Sequence, residues 1–191
     1  MKYSWEIAPD IYIGDDIHNR FVLGVSGNNP LICFGVNPST ANNEYADKTL
    51  HMVEQIAKRN GFDSWIMLNV YPYRSTNPDC LPGTRDDDLH NENLRHIESY
   101  LQKCDLTIWA AWGEPITERD YLMNCLFDIY NIANKYSCQF IAFGKEVNGK
   151  ILATTRHDHP RHPSRLPLLA KPQCFDIAHY LDKIKKYIKS L

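Results

Sequence analysis

The chain has 191 residues, 43% of them hydrophobic and 23% charged, with a formal net charge of −2 and a pI near 6.4. That length suits one domain spanning residues 1–191 with a substantial core, and is short for two. The charge balance excludes the overall basic field that gives proteins generic affinity for nucleic acid, though not a local basic face.

The opening "MKYSWEIAPDIYIGDD" carries acidic residues where a signal peptide needs an apolar core. No apolar run approaches the roughly 20 residues that span a bilayer. The expectation is a soluble, cytoplasmic protein without membrane partners. Cys33, Cys80, Cys104, Cys125, Cys138 and Cys174 form no C-x-x-C pair, so they read as buried thiols in a reducing compartment.

Along the chain, "RFVLGVS" (Arg20 to Ser26) and "LICFGV" (Leu31 to Val36) flank Gly27-Asn28-Asn29-Pro30, a pattern that predicts a β-hairpin. The second run is apolar on both faces, as in a central strand covered by helices. Asp47 is placed to cap a helix carrying Leu50, Val53, Ile56 and Ala57 at helical spacing, with Gly61 to end it. "WIMLNV" (Trp65 to Val70) predicts a second buried strand, and a polar loop from about Pro72 to Asp88 precedes a helix with Leu94, Ile97 and Leu101. A third strand over Leu106 to Trp112, a helix over Tyr121 to Lys135, a fourth strand over Phe140 to Phe143 and a helix over Ile177 to Ile188 complete the pattern. Strands alternating with helices predict a three-layer α/β/α sandwich with a mainly parallel central sheet.

In such folds ligands bind beyond the carboxyl ends of the strands. Those ends here are Asn37-Pro38-Ser39, Asn69 to Arg74, Trp112-Gly113-Glu114 and Phe143-Gly144-Lys145. Pro38 fixes its own φ and biases Asn37 toward extended geometry, which aims the Asn37 carboxamide; Asn-Pro also simply starts turns. Ser39 and Thr40 suit capping of the next turn. Asn69, in an apolar strand, must find partners in loop backbone or in a ligand. Tyr71, Tyr73 and Arg74 supply flat surfaces and a cation. Trp112 fits the core as well as a ligand wall, and Gly113 permits close backbone approach.

Arg156 to Pro163 holds three histidines and two arginines in eight residues. His157, His159, His162 and Asp158 are potential metal donors. However, Pro160 and Pro163 break any helix, H-E-x-x-H is absent and the interleaved arginines oppose a cation. Arg161 favours an anion, and His162 on its Pro-stiffened turn is a positioned hydrogen-bond donor.

The ordered set "VNPSTA", "AD-x-T", "LNVYPYRSTNP", "AAWG", Gly144-Lys145 and "PRHPSRL", from about Phe21 to Leu166, resembles the bacterial family catalogued as domain of unknown function 1643. More distantly, "GVNP" and "HPSRL" are similar to the two active-site motifs of the uracil-DNA glycosylase superfamily. That resemblance implies an N-glycosidase without a cofactor, acting on a nucleobase in DNA or in a nucleotide. It implies that Asn37 holds the attacking water, that His162 faces the base carbonyl and that Asn69 reads the base. Pro38, Ser39, Tyr73, Arg74, Trp112, Gly113, Arg161 and Ser164 would line the ligand, with an aromatic side chain walling the base. The sequence departs from the superfamily at Ser39, where Asn-type enzymes usually carry Gly, and at Arg165. Two alternatives stay open: a non-catalytic nucleotide or nucleic-acid binding module using Arg74, Arg161 and His162, and a metal-dependent hydrolase built on His157 to His162.

Overall fold

A computed structural model of the chain describes residues 2–102 and 106–188. The first strands are β1 (Ile11–Gly14), β2 (Arg20–Val25) and β3 (Pro30–Gly35), followed by α1 (Lys48–Arg59) and β4 (Ser64–Asn69). Then come α2 (Asp87–Leu101), β5 (Thr107–Ala110), α3 (Asp120–Lys135), β6 (Gln139–Val147), β7 (Lys150–Leu152), β8 (Lys171–Cys174) and α4 (Ile177–Ile188). The sheet runs β1-β2-β4-β3-β5-β6-β7, with β8 also pairing β6.

Strands β4, β3, β5 and β6 are mutually parallel. The flanking strands β1, β2, β7 and β8 pair antiparallel. The sheet is therefore mixed, which corrects the expectation of a mainly parallel one. Edge strands β1, β7 and β8 have only 4, 3 and 4 residues, none of them buried, so they carry no hydrophobic period to read.

The expected hairpin does not form. β4 lies between β2 and β3, antiparallel to the first and parallel to the second, so the Gly27 to Asn29 link must straddle two interstrand spacings of about 4.8 Å each. The start of β4 fills the gap: Asp63 accepts from the backbone N–H groups of Asn28 at 3.0 Å and Asn29 at 2.9 Å. A Cβ on Gly27 would sit 2.2 Å from Ser64 Oγ, so glycine is required by that close approach.

Helices cover both faces. On one, Leu50, Val53, Ile56 and Ala57 of α1 pack on Leu31, Cys33, Met67, Trp109 and Phe143. On the other, α2, α3 and α4 bury Ile97, Leu126, Ile129 and Leu181 against Ile32, Phe34, Leu68 and Ile108. The α1 boundary follows the sequence logic: Asp47 accepts from the N–H of Leu50 at 2.9 Å, and Gly61 beyond the helix has φ +84°.

Among the described residues no helix is long and apolar enough to cross a membrane. Cys33 and Cys125 are buried thiols and Cys138 is half-buried, but Cys80 and Cys174 are exposed. Cys80 lies in a 3-10 turn of the long loop and Cys174 on the exposed strand β8, neither of which faces the core. Cys104 lies outside the described residues.

Candidate functional site

The parallel ladder runs past the strand ends. Gly35 O accepts from Val70 N at 2.9 Å, Val36 O from Tyr71 N at 2.9 Å and Phe34 O from Ala111 N at 3.0 Å, so the turns that follow start from fixed points. Asn37 Nδ2 then donates to three carbonyl oxygens, those of Ser75 at 2.9 Å, Pro38 at 3.2 Å and Tyr73 at 3.4 Å. Only a donor fits among three acceptors, so the amide orientation is determined. Asn37 Oδ1 has no partner among the described residues and remains free to accept a hydrogen bond in the cleft that Asn37 lines.

His162 reaches the same cleft. Its backbone is held by Arg165 N donating to His162 O at 3.0 Å across the turn Pro163–Arg165. Its Nδ1 lies 2.9 Å from Ser164 Oγ, which leaves Nε2 for a ligand. Burial pushes the imidazole down to about 4, the Asp47 carboxylate working against that shift and the Arg165 cation adding to it. The ring is neutral at physiological pH. Gly113 makes room for it: at φ 67° and ψ −164° it occupies a region essentially closed to other residues, and a Cβ there would lie 3.2 Å from His162 Cβ.

The cleft has a volume of about 970 Å³ and sits above the carboxyl ends of the central strands, as the topology predicts. Of the residues singled out in the sequence, Asn37, Ser39, Gly113, Arg161, His162 and Ser164 line it. Asn69 lies beside its floor. Gly35 and Met67 are lining residues, and a Cβ on Gly35 would sit 3.3 Å from Asn69 Oδ1 and 2.7 Å from Met67 Cε. Asn69 is 0% exposed, and neither its Oδ1 nor its Nδ2 has a partner among the described residues. Its backbone is clamped from the opposite face by Asn93 Nδ2, which donates to Asn69 O at 3.0 Å.

Four other residues are placed elsewhere. Pro38 is buried beneath the turn. Tyr73 bridges to Asn19 and packs on the core. Arg74 is taken up in tying loops together: it donates to Asp15 O at 2.7 Å, to Tyr12 Oη at 2.8 Å and to Ser39 O at 2.5 Å. Trp112 is fully buried, its Nε1 donating to Tyr180 Oη at 2.9 Å. No Phe, Tyr or Trp is among the described residues lining the cleft, so the expected aromatic wall is absent; Tyr71 and Trp112 near the strand ends are buried in the core instead.

The three histidines of the late segment part company. His157 Nδ1 is 3.1 Å from Glu114 Oε1, His159 Nδ1 is 2.9 Å from Tyr180 Oη, and His162 pairs with Ser164. Among the described residues no three His, Cys, Asp or Glu side chains converge as a metal-donor set. Arg20, Asp47, Thr49, Glu114, Glu118, Arg156 and Arg165 line the cleft without having been singled out as ligand residues. The one available signal was Arg20, a cation opening an otherwise apolar strand.

Fold and site together define a mixed α/β protein with a polar cleft at the carboxyl ends of its parallel strands. Residues 20–164 match the family model described as "Protein of unknown function (DUF1643)", and the chain belongs to that family. Searches of curated proteins and of solved structures returned no match.

Proposed function

We propose that this cleft receives a nucleobase-bearing ligand and hydrolyses its N-glycosidic bond, in the manner of the uracil-DNA glycosylase superfamily, to whose two active-site motifs "GVNP" and "HPSRL" are similar. The observation that carries the proposal is the arrival of Asn37 and His162, from opposite ends of the chain, in one cleft with a free acceptor and a free imidazole nitrogen.

Asn37 Oδ1 accepts a hydrogen bond from a water and turns its oxygen lone pair toward C1′ of the sugar. The C1′–N bond breaks with its electron pair passing to the base. When Ser164 Oγ donates to Nδ1, His162 Nε2 carries the hydrogen and donates to the base carbonyl oxygen where negative charge develops. Water adds to C1′, and its released proton ends on the departing base. The uncharged imidazole donates this hydrogen bond and keeps its proton, so the proton that reaches the base comes from the water.

The missing aromatic wall and the presence of Arg20, Arg156, Arg161 and Arg165 along the cleft favour a second reading, in which the cleft binds a nucleotide without cleaving it. One assay separates the two. Wild type, Asn37→Ala and His162→Ala are incubated with uracil-, hypoxanthine- and mismatch-containing single- and double-stranded oligonucleotides and with the corresponding nucleotides. Base released by wild type and by neither variant is the expected result. No release at high enzyme concentration, with ligand-dependent thermal stabilisation, leaves the binding module.

A further inference from the structure

Arg20 opens β2 and is 1% exposed, yet it borders the cleft. Its Nη1 donates to Ala41 O at 2.7 Å, while its Nε has no partner among the described residues. Among the described residues no carboxylate lies within ion-pair distance of it. Arg74 reaches toward the same Ala41 oxygen at 3.4 Å, so two guanidinium groups share one carbonyl.

Burial is the main cause that lowers the Arg20 pKa to about 10, the Arg74 cation adding to it and the Asp47 carboxylate opposing it. The group remains a cation at neutral pH. A buried guanidinium without a counter-ion is a costly arrangement that an anionic ligand relieves.

The N-terminus of α1, a helix of 12 residues, opens on the same cleft through Thr49 and Leu50. The N–H groups of Leu50 and His51 are already paired with Asp47, and the N–H and hydroxyl of Thr49 are donors of the kind that hold oxyanions. Asp47 is an opposing charge beside them, and its Oδ1 is committed to Leu50 N.

We propose that Arg20, with the α1 N-terminus, forms a phosphate subsite in the cleft, and that the ligand is accordingly a phosphate ester. A planar fork with an unused N–H matches two oxygens of a phosphate, and the cleft volume of about 970 Å³ accommodates a nucleotide. Only the nucleoside half of that ligand rests on the function proposed above; the anion subsite stands on Arg20 and the α1 N-terminus.

The test is calorimetric titration of the full chain at constant ionic strength with deoxyuridine, deoxyuridine 5′-monophosphate and inorganic phosphate. Wild type should prefer the monophosphate to the nucleoside by roughly ten- to a hundredfold, the range for hydrogen bonds to charged groups. Arg20→Met should bind the two alike and lose the response to inorganic phosphate. Phosphate bound by wild type and not by Arg20→Met, with neither deoxyuridine ligand bound, would sink the nucleobase reading and keep the subsite.

Equal affinity of wild type for nucleoside and monophosphate with no response to phosphate overturns the proposal, as does an Arg20→Met protein that keeps both preferences. Should Arg20→Met fail to fold, the Nε–H resonance of Arg20 in nitrogen-15-labelled wild type decides: a shift on phosphate addition supports the subsite, and an unmoved signal refutes it.

Discussion

Replacing Asn69 by leucine should stabilise the free protein while weakening its ligand. Asn69 is 0% exposed, and both polar atoms of its carboxamide lack partners among the described residues. An orphaned buried polar group costs about 1–3 kcal/mol. Leucine keeps the branched outline, removes both orphans and adds apolar contact, but its extra bulk meets the space beside Gly35, where overpacking costs roughly 1–3 kcal/mol. The balance favours the variant by about 1–2 kcal/mol, or roughly 2–8 °C in Tm for a chain of this size. Urea denaturation at pH 7 measures it, with an unchanged m value as the condition for interpreting the midpoint. Asn69→Ala serves as the control: overpacking harms leucine and spares alanine, whereas a lost native hydrogen bond harms both. A loss above about 1 kcal/mol in both variants would mean the carboxamide is already satisfied in the free protein. The reasoning that holds it in reserve for a ligand would then fail.

Two further outcomes follow from the cleft. Gly113→Ala forces a Cβ into a positive-φ position 3.2 Å from His162 Cβ; it should cost about 1–3 kcal/mol in denaturation and lower any cleft activity by displacing His162. His162 titrates at about 4 in the folded protein, below the unfolded value of about 6.5. A depressed folded pKa means that below about pH 6.5 the unfolded chain binds more protons, so stability held above that pH declines as pH falls and the loss is complete below about 4. The contribution is of order 3 kcal/mol. Urea curves of wild type and His162→Gln at pH 7, 5.5 and 4.5 (set by the roughly two-unit window) should converge as pH falls, and parallel curves would refute the assignment.

The legible parts of this fold were those with strong local signals. Asp47, the 3.6-residue spacing of Leu50, Val53 and Ile56, and Gly61 defined α1 because capping and amphipathicity are local in sequence. β3, β4 and β5 announced themselves as apolar runs. Strand order did not, because nothing in Arg20 to Val36 encodes that β4 will insert between two neighbouring strands; that is decided by tertiary pairing. In the site, Asn37 and His162 were readable because a proline beside each restricts the turn. Arg20 and Asp47 were not, since one looked like a strand residue and the other like a cap, and their common feature is a place in space.

The polar groups around the cleft divide into two kinds, and the division bears on function. Behind it, Trp112, Tyr180 and His159 form a chain in which each polar atom that points at another is paired, at 2.9 Å in both links. At the cleft itself, Asn69 has both carboxamide atoms orphaned and Arg20 has an orphaned Nε. Buried polar groups are normally satisfied; among the described residues His90 Nδ1, Asn93 Oδ1 and Trp109 Nε1 are also unpaired, and Asn69 and Arg20 differ from these in bordering the cleft. The fold could satisfy Asn69, since Asn93 already holds its backbone with a 3.0 Å hydrogen bond, yet the side chain is left open on the face where Gly35 removes its Cβ. A protein selected only for stability would place an apolar residue there. Keeping a carboxamide and a guanidinium unsatisfied at the edge of the cleft that holds Asn37 and His162 is the arrangement expected when the missing partners arrive with a polar, anionic ligand.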